Sequence, residues 1–349
     1  MTGRIWWNRI TNPAQFIEEV SDEVMSSESV ILRVPEKLPW EDEFLETLQT
    51  GLERYAVRSV NIHDARGIDS PGEYLLNKYF SEAERNKCWM PTYHTFENFM
   101  AQNSETVMNQ RYICIHNIEP DKIQDWINSV NTYLSCINDE KDERAIFILI
   151  INKSGDIDTG GLKEYRYSDY VTDFDCLLLC QTILSSRKFT TIQTEYIAYL
   201  AFNIAGSDYE LAGQFAGYGI ELARHPYRTA EVVYNEKNIK VTNLKDKINS
   251  ALWNTQIKTI FPKMETERRA IVEKYRSELK KALPIRSATG EKIENPLELE
   301  IGQILLLVKK RNIANWKDYN MLKIMKEARN ALAHLEAVTF TELEDMEIF

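Results

Sequence analysis

Apolar residues recur along this chain in two rhythms, and the change of rhythm divides it. In the first half, short apolar runs alternate with helical stripes. Residues 29–34 (SVILRV), 58–62 (RSVNI), 111–116 (RYICIH) and 145–151 (AIFILII) read as strands. The last is apolar throughout, as expected of a parallel strand covered on both faces. Residues 164–171 (EYRYSDYV) predict a fifth strand. Between them, Phe16, Ile17 and Val20 mark one helix, opened by Asn12 as N-cap and Pro13 at its first position. Phe44, Leu45, Leu48 and Leu52 mark a second helix over 41–55, residues 91–100 read as another, and Ile123, Trp126, Ile127, Val130 and Leu134 mark one over 120–134. Thr172, followed by Asp173 and Asp175, predicts a capped helix through Leu184. Strand and helix in alternation predict a doubly wound α/β domain ending near Ser185.

From Phe189 onward only helical periods remain. Helices are expected over 191–205 and 210–223. In the second, Gly213, Gly217 and Gly219 would let helices approach closely. Further helices are expected over 244–261, stopped by Pro262, and 265–283, stopped by Pro284. The last two are expected over 296–309 and 317–338. The expected layout is therefore α/β: a parallel-sheet domain at 1–185, a helical middle at 186–264 and a helical bundle at 265–349.

Composition narrows the function classes. The 349 residues carry 42 Lys+Arg against 53 Asp+Glu, a net charge of −11. That excess argues against a protein coated in nucleic acid. No apolar stretch is long enough to cross a bilayer, and the N-terminus lacks a secretory pattern. Five cysteines, an odd number, point to reduced thiols in a cytoplasmic protein. Cys176 and Cys180, four apart, read as core residues, since no further zinc ligands stand at motif spacing. His63 with Asp64, beside Arg66, reads as a pair in a turn of a kind common without catalysis, and the single histidines His94 and His116 read as structural. The DEKDE run at 139–143 reads as a solvated loop. No metal and no cofactor are expected.

The order of strands in the first half resembles a P-loop NTPase core of the AAA+ or STAND kind. A phosphate loop would follow the strand at 30–34, Asn117 and Glu119 would stand after the strand that carries the Walker B acids, and Asn152 at a sensor position. The phosphate loop itself is missing. The first strand runs into PEKLPWEDEF, with no glycine and added negative charge. Such a loop needs glycine amides around phosphate, then Lys and Ser/Thr. The glycine-rich 155–163 (GDIDTGGLK) lacks that ending too. The resemblance thus implies a degenerate domain without nucleotide.

The last helix carries RNALAH, with Arg329, Asn330 and His334. Asn330 and His334 lie four apart and share a helix face, and Arg329 is next to them. A histidine that titrates near neutrality can move the proton of an RNA 2′-hydroxyl. An arginine can neutralise the charge that develops on phosphorus. This segment resembles the HEPN superfamily, whose signature is Arg, usually followed by a polar residue such as Asn, with four to six residues before His. The resemblance covers roughly the last 85 residues. It implies a metal-independent ribonuclease of a prokaryotic defence or conflict system, with Arg329, Asn330 and His334 catalytic and the site shared across a homodimer. HEPN-like bundles also serve as non-catalytic modules. The chain then becomes an adaptor or pseudo-ATPase subunit in a hetero-complex with a partner encoded beside it. RNA is a candidate partner; DNA and membrane are not. From Thr266 onward the chain carries 15 Lys+Arg and 14 Asp+Glu, so the acidic excess belongs to the rest. Lys309, Lys310 and Arg311 are candidate RNA contacts, with Arg268 and Arg269 behind them. Glu327 and Glu336 place negative charge nearby.

Overall fold

Ile146–Ile151 is buried at every position, and it forms the middle of a five-stranded sheet. The computed structural model describes residues 2–54, 58–88, 90–103, 108–137, 144–152, 155–287, 290–347 and 349. The DEKDE run at 139–143 lies outside the described residues. The strands are β1 (Val30–Arg33), β2 (Ser59–Asp64), β3 (Arg111–His116), β4 (Ile146–Ile151) and β5 (Lys163–Arg166). Their order is β2-β3-β4-β1-β5, with every pair parallel.

Alternation along the strands sends side chains to two faces. Ile31, Ile113, Ile115, Phe147, Leu149 and Ile151 share one core with helices α4 (Pro71–Tyr79), α5 (Phe96–Gln102) and α6 (Ile123–Cys136). Helices α1 (Thr2–Arg9), α2 (Thr11–Met25) and α3 (Glu41–Glu53) pack on one another and against β1 and β2. Helix α7 (Asp173–Leu184) follows β5 and a helical turn at Tyr167–Tyr170. The layout is α/β, a parallel sheet followed by helices.

Several local expectations are corrected. Asn12 does not cap α2, which begins at Thr11. Its side chain donates to Asp175 Oδ2 at 3.1 Å. That carboxylate also accepts from the Thr172 amide at 2.8 Å and hydroxyl at 3.0 Å, so Asp175, not Thr172, satisfies the start of α7. The fifth strand ends at Arg166, where the chain turns helical.

The chain forms two compact units, residues 1–175 and 176–349. The second holds α8 (Thr191–Ala205), α9 (Tyr209–Tyr218), α10 (Pro226–Glu236), α11 (Leu244–Lys274), α12 (Ile301–Arg311) and α13 (Trp316–Ala333). One buried core runs through it, from Cys176 to Met346. The units do not divide at 264/265, because that point lies inside α11. Pro262 does not stop this helix. It stands on the exposed side, where one missing N–H is tolerated, while Ile260, Met264 and Ile271 keep a continuous buried face. The helix expected over 210–223 breaks at Gly219, whose φ of 59° combined with ψ of −128° is open only to glycine. At Gly217 nothing lies within 4 Å of an added Cβ, so no helix approaches it closely.

Candidate functional site

Leu322, Met325, Ala328 and Leu332 seat α13 on the core of the helical unit. Arg329 and Asn330 therefore face solvent, as the stripe requires. The helix stops at Ala333, five residues earlier than expected, so His334 is its C-cap rather than a helical residue. Leu335 follows with φ 62°. The Glu336 amide donates to Ala331 O at 2.9 Å and the Leu335 amide to Leu332 O at 3.3 Å. This is the closing pattern that glycine usually supplies. A leucine there costs roughly 1–2 kcal/mol of backbone strain, immediately beside His334.

Two side chains of α11 hold this turn from below. The Trp253 indole donates to Leu332 O at 2.8 Å. The fully buried Gln256 donates to Val338 O and accepts from the Val338 amide, each at 2.7 Å. Its amide also reaches Tyr196 Oη at 3.2 Å. His334 itself is exposed, and neither its side chain nor that of Asn330 has a polar partner among the described residues. Arg329 lies 3.7 Å from Glu300, with both groups largely solvated, so the pairing is weak.

Of the basic residues only Arg268 comes near the motif, lining with Arg329 a cavity of about 240 Å³ that Glu265 and Glu300 also border. Helices α12 and α13 pack as an antiparallel pair joined by a short turn. Lys309, Lys310 and Arg311 therefore lie beside the start of α13, about 15 Å along its axis from Arg329. Arg311 donates to Lys281 O at 3.4 Å. Arg268 is buried, donating to Leu297 O at 3.1 Å, Leu299 O at 2.9 Å and Glu265 at 2.8 Å. It fastens the loop before α12 and is not free to contact phosphate. Arg269 lies 3.4 Å from the same Glu265.

A second region was expected to have lost its ligand, the carboxyl edge of the sheet, where parallel α/β folds bind small molecules. The loop after β1 ends at Trp40, φ 47°, and α3 opens with Glu41, Asp42 and Glu43. The positive end of that helix thus already faces three carboxylates. Helix α1 lies against the loop. The Trp7 indole donates to Pro39 O at 3.1 Å and Trp40 O at 3.2 Å. An added Cβ at Gly3 would stand 2.7 Å from Trp40. Around β2 and β3 the polar groups answer one another. His116 Nδ1 is 3.2 Å from Glu41, and Glu119 accepts from the Gly67 amide at 3.2 Å. The Arg66 guanidinium holds the Asp64 carboxyl down at about 2.

No protein-family model matches the chain, and no curated protein matches it. Among solved structures, one described as Drosophila ORC bound to DNA aligns at 12% identity over 99% of this chain and 74% of that one, with a TM-score of 0.32. A likeness at that score carries no argument here.

Sequence reasoning found the three exposed motif residues but missed the groups that hold them. Trp253 and Gln256 lie some 80 residues earlier, on another helix, and no short-range pattern links them to His334. A polar Gln among apolar positions of α11 was the one available signal. Cys176 and Cys180 are both buried in the helical core. The Cys180 thiol is pushed up by its hydrogen bond with Cys176 and by burial.

Proposed function

We propose that the chain is a metal-independent endoribonuclease of the HEPN type, carried on a degenerate P-loop-like domain and acting as a prokaryotic defence protein. The observation that carries this reading is the pair Asn330 and His334, solvent-facing and without side-chain partners among the described residues, at a turn that Trp253 and Gln256 hold in strain. In this reading His334 takes the 2′-hydroxyl proton, or returns one to the leaving 5′-oxygen. Arg329 meets the charge building on the phosphoryl oxygens, and Asn330 orients the phosphate or the imidazole. Two copies face each other across a homodimer.

Total cellular RNA incubated with the purified protein in EDTA should be nicked. His334→Ala or Arg329→Ala should lower the rate by about 10²-fold or more, with far-UV circular dichroism unchanged. Full activity in a folded His334→Ala protein refutes the assignment.

A second reading is favoured by the Glu300 carboxylate beside Arg329 and by the filled carboxyl edge of the sheet. In it the chain is a non-enzymatic adaptor, its acidic sheet domain binding a partner protein. Retention of a partner encoded beside it, unchanged in His334→Ala, together with no nicking by the wild type, selects that reading.

A further inference from the structure

The helical unit contains a cavity of about 660 Å³, the size of small-molecule sites. One wall is the start of α10 and the residues before it. The other is the segment from Leu335 to Phe340 that Gln256 straps to α11. The two walls differ in chemistry. Leu252, Val338 and Phe340 line an apolar floor, and Tyr196 closes it with a ring that is 1% exposed.

The rim is basic. Arg224, His225 and Arg228 line it, against one lining carboxylate, Glu336. Arg228 is exposed and has no partner among the described residues. Arg224 stacks over the Phe340 ring at 5.6 Å, and its partner Glu344, at 3.4 Å, is half exposed and outside the lining. An exposed pair of that kind leaves most of the guanidinium's binding capacity free. The cavity therefore offers a desolvating floor below and donors for a planar anion above.

We propose that this cavity binds a small amphipathic anion, an apolar body carrying a carboxylate or phosphate. The body lies on Leu252, Val338 and Phe340, and the anionic group meets Arg228 and Arg224. The inference is independent of the ribonuclease reading, because neither Arg329 nor His334 lines the cavity.

The test uses the full chain and the fluorescent probe 8-anilinonaphthalene-1-sulfonate, an aromatic body with one sulfonate. The wild type should bind it at one saturable site. Arg228→Glu should weaken binding at least tenfold, and Ala337→Trp, which fills the cavity from its half-buried wall, should abolish it. Arg228 is solvated and has no partner among the described residues, so its replacement leaves the fold intact. Displacement by octanoate or by octyl phosphate, but not by octanol, supports the proposal and separates a carboxylate from a phosphate ligand. Equal probe binding in all three proteins, absence of binding to the wild type, or displacement by octanol overturns it.

Discussion

His63 is 6% exposed on β2, where its two ring nitrogens lie 3.1 Å from Tyr74 Oη and 2.6 Å from Tyr79 Oη. Burial, with Lys78 and His116 nearby, lowers its pKa to about 4. In the unfolded chain it titrates near the ordinary value of about 6.5. Between these values the unfolded state binds more protons, so stability rises with pH. His63 should therefore contribute stability that is complete above about pH 6.5 and lost as pH falls toward 4. Urea midpoints measured from pH 7.5 to 4.5 should decline across that window, and His63→Gln should lose this part of the decline. An unchanged slope in the variant would show that other groups dominate. The same residue shows what was legible locally. The sequence placed His63 in a turn after a strand ending at 62, whereas β2 runs on to Asp64; its tyrosine partners were not legible either, because they come from the helix after the strand and reach back.

At the scale of elements, hydrophobic period located the five strands of the parallel sheet to within a few residues, helped by β1, β3 and β4 being apolar on both faces. It missed the antiparallel pair Ile285–Arg286 and Lys292–Ile293, a polar stretch read as a loop, because two residues are too few to show a period. Helix ends were less legible. Pro262 was expected to stop a helix, and Ala333 to lie inside one. Both outcomes were set by tertiary contacts. The buried face of α11 outweighs one missing hydrogen bond, and the Trp253 and Gln256 contacts draw the chain away from α13 after Ala333. Pro262→Ala restores an N–H for the Lys258 carbonyl and removes the ring clash. It should stabilise the protein by about 1–2 kcal/mol, partly offset by a freer unfolded chain. Chemical denaturation checks this, and a loss of stability would mean that Pro262 itself is required for packing of the helical core.

For the whole molecule, the net charge of −11 resolves into an acidic first part and a nearly neutral end. The structure sharpens this, because the basic residues of that end are scattered. Arg268 is buried in a structural role, and Lys309 to Arg311 lie far along α12 from His334. If RNA meets only Arg329 from each of two copies, few counterions are released. The logarithm of the RNA association constant should then fall with log salt at a slope of about −1.4. A slope several times steeper would place Lys309, Lys310 and Arg311 in the interface after all. The motif itself was legible because three chemically distinctive residues stand within six positions. The distance of Lys309 to Arg311 from it was not, because that depends on where α12 turns back.

The strap from Leu335 to Phe340 has two neighbours, the His334 turn at one end and the cavity floor along its length. Linkage makes such sharing symmetrical. Whatever factor an occupant of the cavity changes in the affinity of a ligand at His334, that ligand must change the occupant's affinity by the same factor. Any coupling between the two ends of this short segment can therefore be measured from either one.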